Sequence, residues 1–271
     1  MALTVISLGA GVQSTTMALM AAEGEFDFMP DAAIFADTQS EPAAVYRHLK
    51  WLMSPGILPF PVHIVTAGSL RDEITGKRPD GRRSWGRPPM FVVRDDGEAG
   101  MLNRQCTRRY KIDPIRKKMR HLCGLKPHQR VKGIIAEQLI GISMDEIFRM
   151  KPSRDSWIRN RWPLIEKRMD RRQCLKWLSH HSYPIPTKSA CTFCPFRDDA
   201  GWQELRDKHP TDWLDAVEVD RAIRIGMPGV DKSKAYVHRS LNPLDQVDLR
   251  TDEECGQLNM FLNECEGMCG V

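Results

Sequence analysis

Apolar positions near the start of the chain cluster in residues 3–6 and then give way to small and hydroxylated ones: Ser7-Leu8-Gly9-Ala10-Gly11-Val12-Gln13-Ser14-Thr15-Thr16. A short apolar run bounded by glycines predicts a buried strand, and residues 17–22 resume with a helical pattern. The rhythm recurs. Strands are expected at about 3–7, 32–36, 62–65 and near 131–142, alternating with helices at about 14–23, 41–53, 110–122 and 144–150. Such alternation predicts an α/β fold, a parallel sheet with helices on both faces. From about Lys151 the pattern turns helical, with closing helices expected at 202–209 and 213–225. The organisation read from this is a sheet domain over 1–150 and a helical, cysteine-rich module over 151–271, packed together as one globule. The Gly/Pro/Arg-rich stretch 76–89 has little to bury and reads as a mobile basic loop beside the site.

Strand, glycine-bearing loop and helix together aim backbone N–H groups and a helix dipole at an anion. Gly9 and Gly11 permit close approach, and Ser7, Gln13, Ser14 and Thr15 add side-chain polar groups. The second strand ends in Asp37-Thr38-Gln39-Ser40-Glu41-Pro42, a loop carrying carboxylates and hydroxyls. In a parallel sheet both loops fall at the carboxyl ends of strands, where ligands bind.

Composition narrows the partners. With 271 residues, 41% hydrophobic and 28% charged, the chain reads as globular with a sizeable core. No apolar run reaches the roughly 18–20 residues that cross a bilayer, and no export signal is evident, so a cytoplasmic, non-membrane protein is expected. The net charge of +5 is unevenly spread. Residues 104–132 hold eleven Lys or Arg against Asp113 alone, and 149–172 hold nine against three acids. Two basic blocks favour a polyanion, either nucleotide phosphates or a nucleic acid, over solvated helix faces.

Eight cysteines lie at 106, 123, 174, 191, 194, 255, 265 and 269. Without a signal peptide, metal or thiol chemistry is the expectation rather than a disulfide framework. Cys191-Thr192-Phe193-Cys194-Pro195 presents two thiols to one centre. A 4Fe-4S cluster on Cys106, Cys174, Cys191 and Cys194 is the preferred reading. Structural zinc on the same set, or with a histidine replacing one cysteine, competes with it, as do a redox pair and buried thiols.

The ordered motifs resemble a known family. Ser7 to Thr15 resembles the pyrophosphate-binding loop of PP-loop ATP pyrophosphatases, and 36–42 resembles an element of the phosphoadenosine-phosphosulfate (PAPS) reductase-like branch. Cys106-Thr107 with Lys111 and Pro114, Gly141 with Glu146 and Arg149, Trp162-Pro163-Leu164, and 183–196 are similar to further elements of its cysteine-rich phage and bacterial members. Those members are similar in turn to the sulfur-transfer enzyme of DNA phosphorothioation. Gln13 and Gln39 stand where many relatives have Asp and Gly. The resemblance spans residues 3–200 and implies a Rossmann-like (adenine nucleotide alpha hydrolase-like) domain, ATP or PAPS and often an iron–sulfur cluster, while Mg²⁺ is expected from the phosphate chemistry. It implies adenylation followed by sulfur transfer from a cluster, a persulfide or another sulfur donor. Asp37, Thr38 and Glu41 would position metal or nucleotide, and Arg108, Lys111 and Arg149 would neutralise charge. The alternatives are reductive cleavage of PAPS by a tail cysteine, Cys265, and a non-catalytic nucleotide-regulated nucleic-acid-binding protein.

Overall fold

The computed structural model describes residues 2–77, 86–126, 128–230 and 233–250. Eight strands are described: β1 (Leu3–Leu8), β2 (Ala32–Asp37), β3 (Val62–Thr66), β4 (Phe91–Arg94), β5 (Ala99–Met101), β6 (Ala136–Ile140), β7 (Ile158–Arg161) and β8 (Ser233–Tyr236). The helices are α1 (Val12–Ala22), α2 (Ala43–Leu52), α3 (Leu70–Ile74), α4 (Asp113–Leu122), α5 (Pro163–Glu166), α6 (Arg171–His180), α7 (Asp199–Lys208) and α8 (Pro210–Ile225).

Period-two burial builds the main sheet. Ile6 and Leu8 of β1, with Ala33 and Phe35 of β2, face a core made with α1, α2 and α6. Val5, Ile34 and Ala36 point the other way, onto Ile115 and Met119 of α4 and onto Trp157. All pairings are parallel, in the order β3-β2-β1-β6-β7. This is the expected α/β, Rossmann-like sheet with helices on both faces. Strand order reverses direction between β1 and β6, so a crevice opens at the carboxyl ends of those two strands.

Chain position and packing diverge in the remainder. β7, beyond residue 151, is the fifth strand of the main sheet, so the segment after Lys151 is not purely helical. Cys174 and Leu178 bring α6 into the first core against α1. Conversely α3 and β4, from the first half of the chain, join α7, α8 and β8 in a second core around Trp202, Phe193 and Tyr110. β4 pairs antiparallel with both β5 and β8. The two cores are therefore interleaved in sequence rather than divided at residue 150. The expected closing helices are α7 and α8. Of the stretch 76–89, residues 78–85 lie outside the described residues, while Gly86 and Pro88 are fixed in place. The Gly86 N–H donates to buried Glu73, and the Met90 N–H donates to the Pro88 carbonyl.

Gly141 follows β6 where the sheet meets α1. A Cβ there would lie 2.9 Å from Ser14 N and Cα, both backbone atoms that cannot swing away. Gly141→Ala is expected to lower stability by about 1–3 kcal/mol in urea unfolding, because one strand end must part from the helix it abuts. Gly100→Ala, whose added carbon would meet nothing nearer than Val92 Cγ2 at 3.8 Å, should leave the midpoint unchanged.

Candidate functional site

The crevice is a cleft of about 1060 Å³, floored by Ser7, Gly9, Gly11 and Gln13 and by the end of β6. α1 starts at Val12 after an N-cap, Gly11, that provides no side-chain hydrogen bond to the first turn. The loop braces itself from within. Gly9 N–H donates to Ser14 Oγ at 3.1 Å, and Ser14 Oγ–H donates to the Gly11 carbonyl at 3.3 Å. Gln13 is held between Ser143 Oγ (3.4 Å) and Arg171 Nη1 (3.3 Å).

Eleven Lys and Arg residues line the cleft against Asp113, Glu146 and Asp155. Five come from the first basic block (Arg104, Arg108, Arg109, Lys111, Arg116) and four from the second (Arg149, Lys151, Arg154, Arg171). Lys188 and Arg197, which sequence reasoning did not single out, come from the cysteine segment. A π-helical turn at Thr107–Ile112 precedes α4, and Arg108 and Lys111 of that turn line the cleft. Other members of the blocks serve structure. Arg161 pairs with Glu166 and Glu137, and Arg120 donates to the Lys126 and Gln129 carbonyls. Arg149 pairs with Glu146, whose carboxyl is pushed up by burial against the opposing pull of that guanidinium.

Beside the cleft, Cys106, Cys191 and Cys194 line a second, largely apolar cavity of about 30 Å³ with Pro88, Pro89 and Phe196. Cys194 and Phe196 border both spaces. The Cys-x-x-Cys turn closes with Cys194 N–H donating to the Cys191 carbonyl at 3.0 Å. It docks on the sheet through Thr192 N–H to the Ser40 carbonyl (2.8 Å), and Thr192 Oγ–H donates to Asp215 (2.7 Å). Desolvation, reinforced by the Glu41 carboxylate, pushes the Cys191 thiol up, with Lys111 and a Thr38 hydrogen bond pulling the other way.

Cys174 does not join the other three. It is fully buried in the first core near Thr16, and burial pushes its thiol up to about 12. Of the four cysteines expected as ligands, Cys174 therefore stands apart from Cys106, Cys191 and Cys194; Cys255, Cys265 and Cys269 lie outside the described residues. Four further residues of the expected site face away from the cleft lining. Thr15 is turned into the core, its hydroxyl 3.0 Å from His48 Nε2. Thr38 Oγ1 contacts Cys191 Sγ at 3.3 Å rather than the anion cleft. Glu41, with a side chain only 1% exposed, pairs with Lys111 at 3.2 Å on the thiol side. Asp37 accepts from Tyr46 Oη–H and Gln39 N–H, both at 2.7 Å, and stands outside the cleft lining.

Several buried polar atoms in and near the two spaces have no hydrogen-bond partner among the described residues: Glu41 Oε2, Arg104 Nη2, Gln105 Oε1 and Arg197 Nε. Unsatisfied buried groups are costly, so these atoms are available to a ligand.

Fold and site together define an α/β protein with an open, parallel main sheet whose switch-point cleft is lined by basic side chains beside three cysteines. No family model matches the chain, and no curated protein matches it. Among solved structures it is similar to the phosphoadenylyl-sulfate (PAPS) reductase of Candida auris in its phosphate complex. That similarity has 14% identity and a TM-score of 0.44, covering 69% of this chain and 76% of that one. No described helix is long and apolar enough to cross a membrane.

The buried Thr15–His48 contact carries a pH signature. Burial lowers His48 from 6.5 to about 4, so between those values the unfolded chain binds more protons than the folded one. Stability is expected to be complete above pH 6.5 and to fall by about 2 kcal/mol on acidification to pH 4, after allowance for partial solvent screening. Urea midpoints of wild type and His48→Gln across that range check this; the variant should lose most of the slope.

Proposed function

We propose that the chain binds ATP in the switch-point cleft and uses it to adenylate an acceptor that then receives sulfur. The observation carrying this reading is that Cys194 and Phe196 border both the cation-lined cleft and the thiol cavity, so phosphate and sulfur chemistry share contiguous space. The open first turn of α1 receives phosphate oxygens, and Arg108, Lys111 and Arg149 neutralise charge as pyrophosphate leaves. An acceptor oxygen attacks the α-phosphate, forming an O–adenylyl bond as the bond to pyrophosphate breaks. A sulfide equivalent then displaces AMP, forming the carbon– or phosphorus–sulfur bond and releasing the oxygen on AMP. Mg²⁺ would arrive with the nucleotide, since Asp37 and Glu41 are engaged elsewhere.

The donor set Cys106, Cys191 and Cys194 fits an iron–sulfur cluster with three protein ligands. Tetrahedral zinc would draw thiolates to about 3.8 Å of one another. No trio of Cys, His or acidic ligand atoms within 4.8 Å of one another includes these cysteines among the described residues. When bound there, a cluster would supply the sulfide equivalent. The cavity that these cysteines line measures about 30 Å³, smaller than a cluster, so binding one there requires the lining to rearrange.

A nucleic acid is the proposed acceptor class. Eleven cations exceed what the roughly four negative charges of ATP need, and the cleft extends along Lys151 and Arg154 beyond the phosphate loop.

Two experiments test this. Nucleic acid should stimulate pyrophosphate release from ATP, with Arg108→Ala reducing the rate at least about tenfold. Cys194→Ala should keep pyrophosphate release and lose sulfur incorporation. Sulfite release from PAPS that is abolished by Cys265→Ser would establish the reductive reading instead. Nucleic acid binding without nucleotide consumption would exclude catalysis. Separately, anaerobically purified protein should contain iron and sulfide, with Cys191→Ala losing most of it and Cys174→Ala retaining it. Stoichiometric zinc in place of iron would overturn the cluster.

A further inference from the structure

A separate group of ligand-type side chains lies at the opposite end of α1 from the cleft. Glu23 caps α1, Glu25 follows two residues later, and His181 caps α6, which packs alongside. His181 Nδ1 lies 2.8 Å from the Trp177 carbonyl oxygen. A carbonyl only accepts, so Nδ1 turns its hydrogen there and Nε2 is the ring nitrogen left to a ligand. That nitrogen faces Glu23 Oε2 at 3.5 Å.

The ring is held in place. Trp177 stacks on it at 4.0 Å and 25°, and Tyr183 lies nearly parallel at 6.3 Å and 7°. The carboxylates are oriented too. Tyr183 Oη–H donates to Glu23 Oε1 at 2.6 Å, and Trp177 Nε1–H donates to Glu25 Oε1 at 2.8 Å. One ligand atom from each of Glu23, Glu25 and His181 then lies within 4.8 Å of the others. Ligands each steered by a second hydrogen-bonding partner are how proteins prepare metal sites.

We propose that Glu23, Glu25 and His181 bind a divalent transition-metal ion, zinc being the suitable probe, with water completing its coordination. The site is independent of the thiols and of the proposed reaction. It clips the carboxyl-terminal end of α1 to α6 and so braces the helix whose other end holds the phosphate loop.

Zinc bound by the full-length chain is measured by equilibrium dialysis, together with the zinc-dependent shift in Tm. Wild type and Cys191→Ala should both retain a zinc equivalent that Glu25→Gln and His181→Ala lack. Zinc should raise Tm in the first pair only. Glu25→Gln preserves shape and the Trp177 contact, so its loss of zinc is not a loss of folding. Equal zinc stoichiometry in wild type and Glu25→Gln would overturn the proposal.

Discussion

Two hydrogen bonds hold the cysteine segment over the carboxyl edge of the sheet, and both halves of the site depend on them. Ser189 Oγ–H donates to the Gly9 carbonyl in the phosphate loop, and Thr192 N–H donates to the Ser40 carbonyl beyond β2. One stretch of four residues therefore bridges the loops that follow two adjacent parallel strands. Its first contact brings Ser189 close enough that a Cβ on Gly11 would stand 3.3 Å from Ser189 Cβ. Its second sets Cys191 against Thr38. The far side is secured by Asp215, which accepts from Thr192 and pairs with Arg71 on α3 at 2.7 Å. Undoing the bridge would separate the thiols from the cleft without touching the sheet.

The electrostatics around that bridge favour ligand binding over stability. A surplus of cations in one cleft repels itself, and the buried Glu41–Lys111 pair gives up solvation that its own attraction only partly returns. Arg104 covers the Phe196 ring at 5.6 Å while its Nη2 has no partner among the described residues. Arg197 does the same over Trp202 at 5.4 Å, leaving Nε. Side chains clamped by aromatic faces with donors to spare are pre-organised for an anion that supplies the missing acceptors.

Much of the sheet was legible because its strands are short, largely apolar runs between turn signals. β6 falls within its expected stretch, and β1, β2 and β3 each run one residue past theirs. β7 was not: Ile158-Arg159-Asn160-Arg161 is short and polar, and its inclusion depends on pairing with β6. β4 and β8 are likewise short, and they pair across more than 130 residues of chain. Gln39 adopts φ +55°, a left-handed backbone in the position where the family resemblance expects glycine. The loop keeps its conformation there despite the side chain.

Residue type determined the chemistry available: glycines and hydroxyls beyond β1, two basic blocks, and a Cys-x-x-Cys turn. Direction was decided only by tertiary packing. Ser14 and Thr15 are neighbours, yet about 100° of helical rotation leaves one bracing the loop and turns the other onto His48. Cys174 lies one turn before Leu178 on the face of α6 that packing covers, whereas Cys106, distant in sequence, comes to the Cys191–Cys194 turn. A thiol, hydroxyl or carboxylate can serve either core or site. Which one it serves depends on the face of its helix or strand that the rest of the chain covers, and no local pattern carries that information.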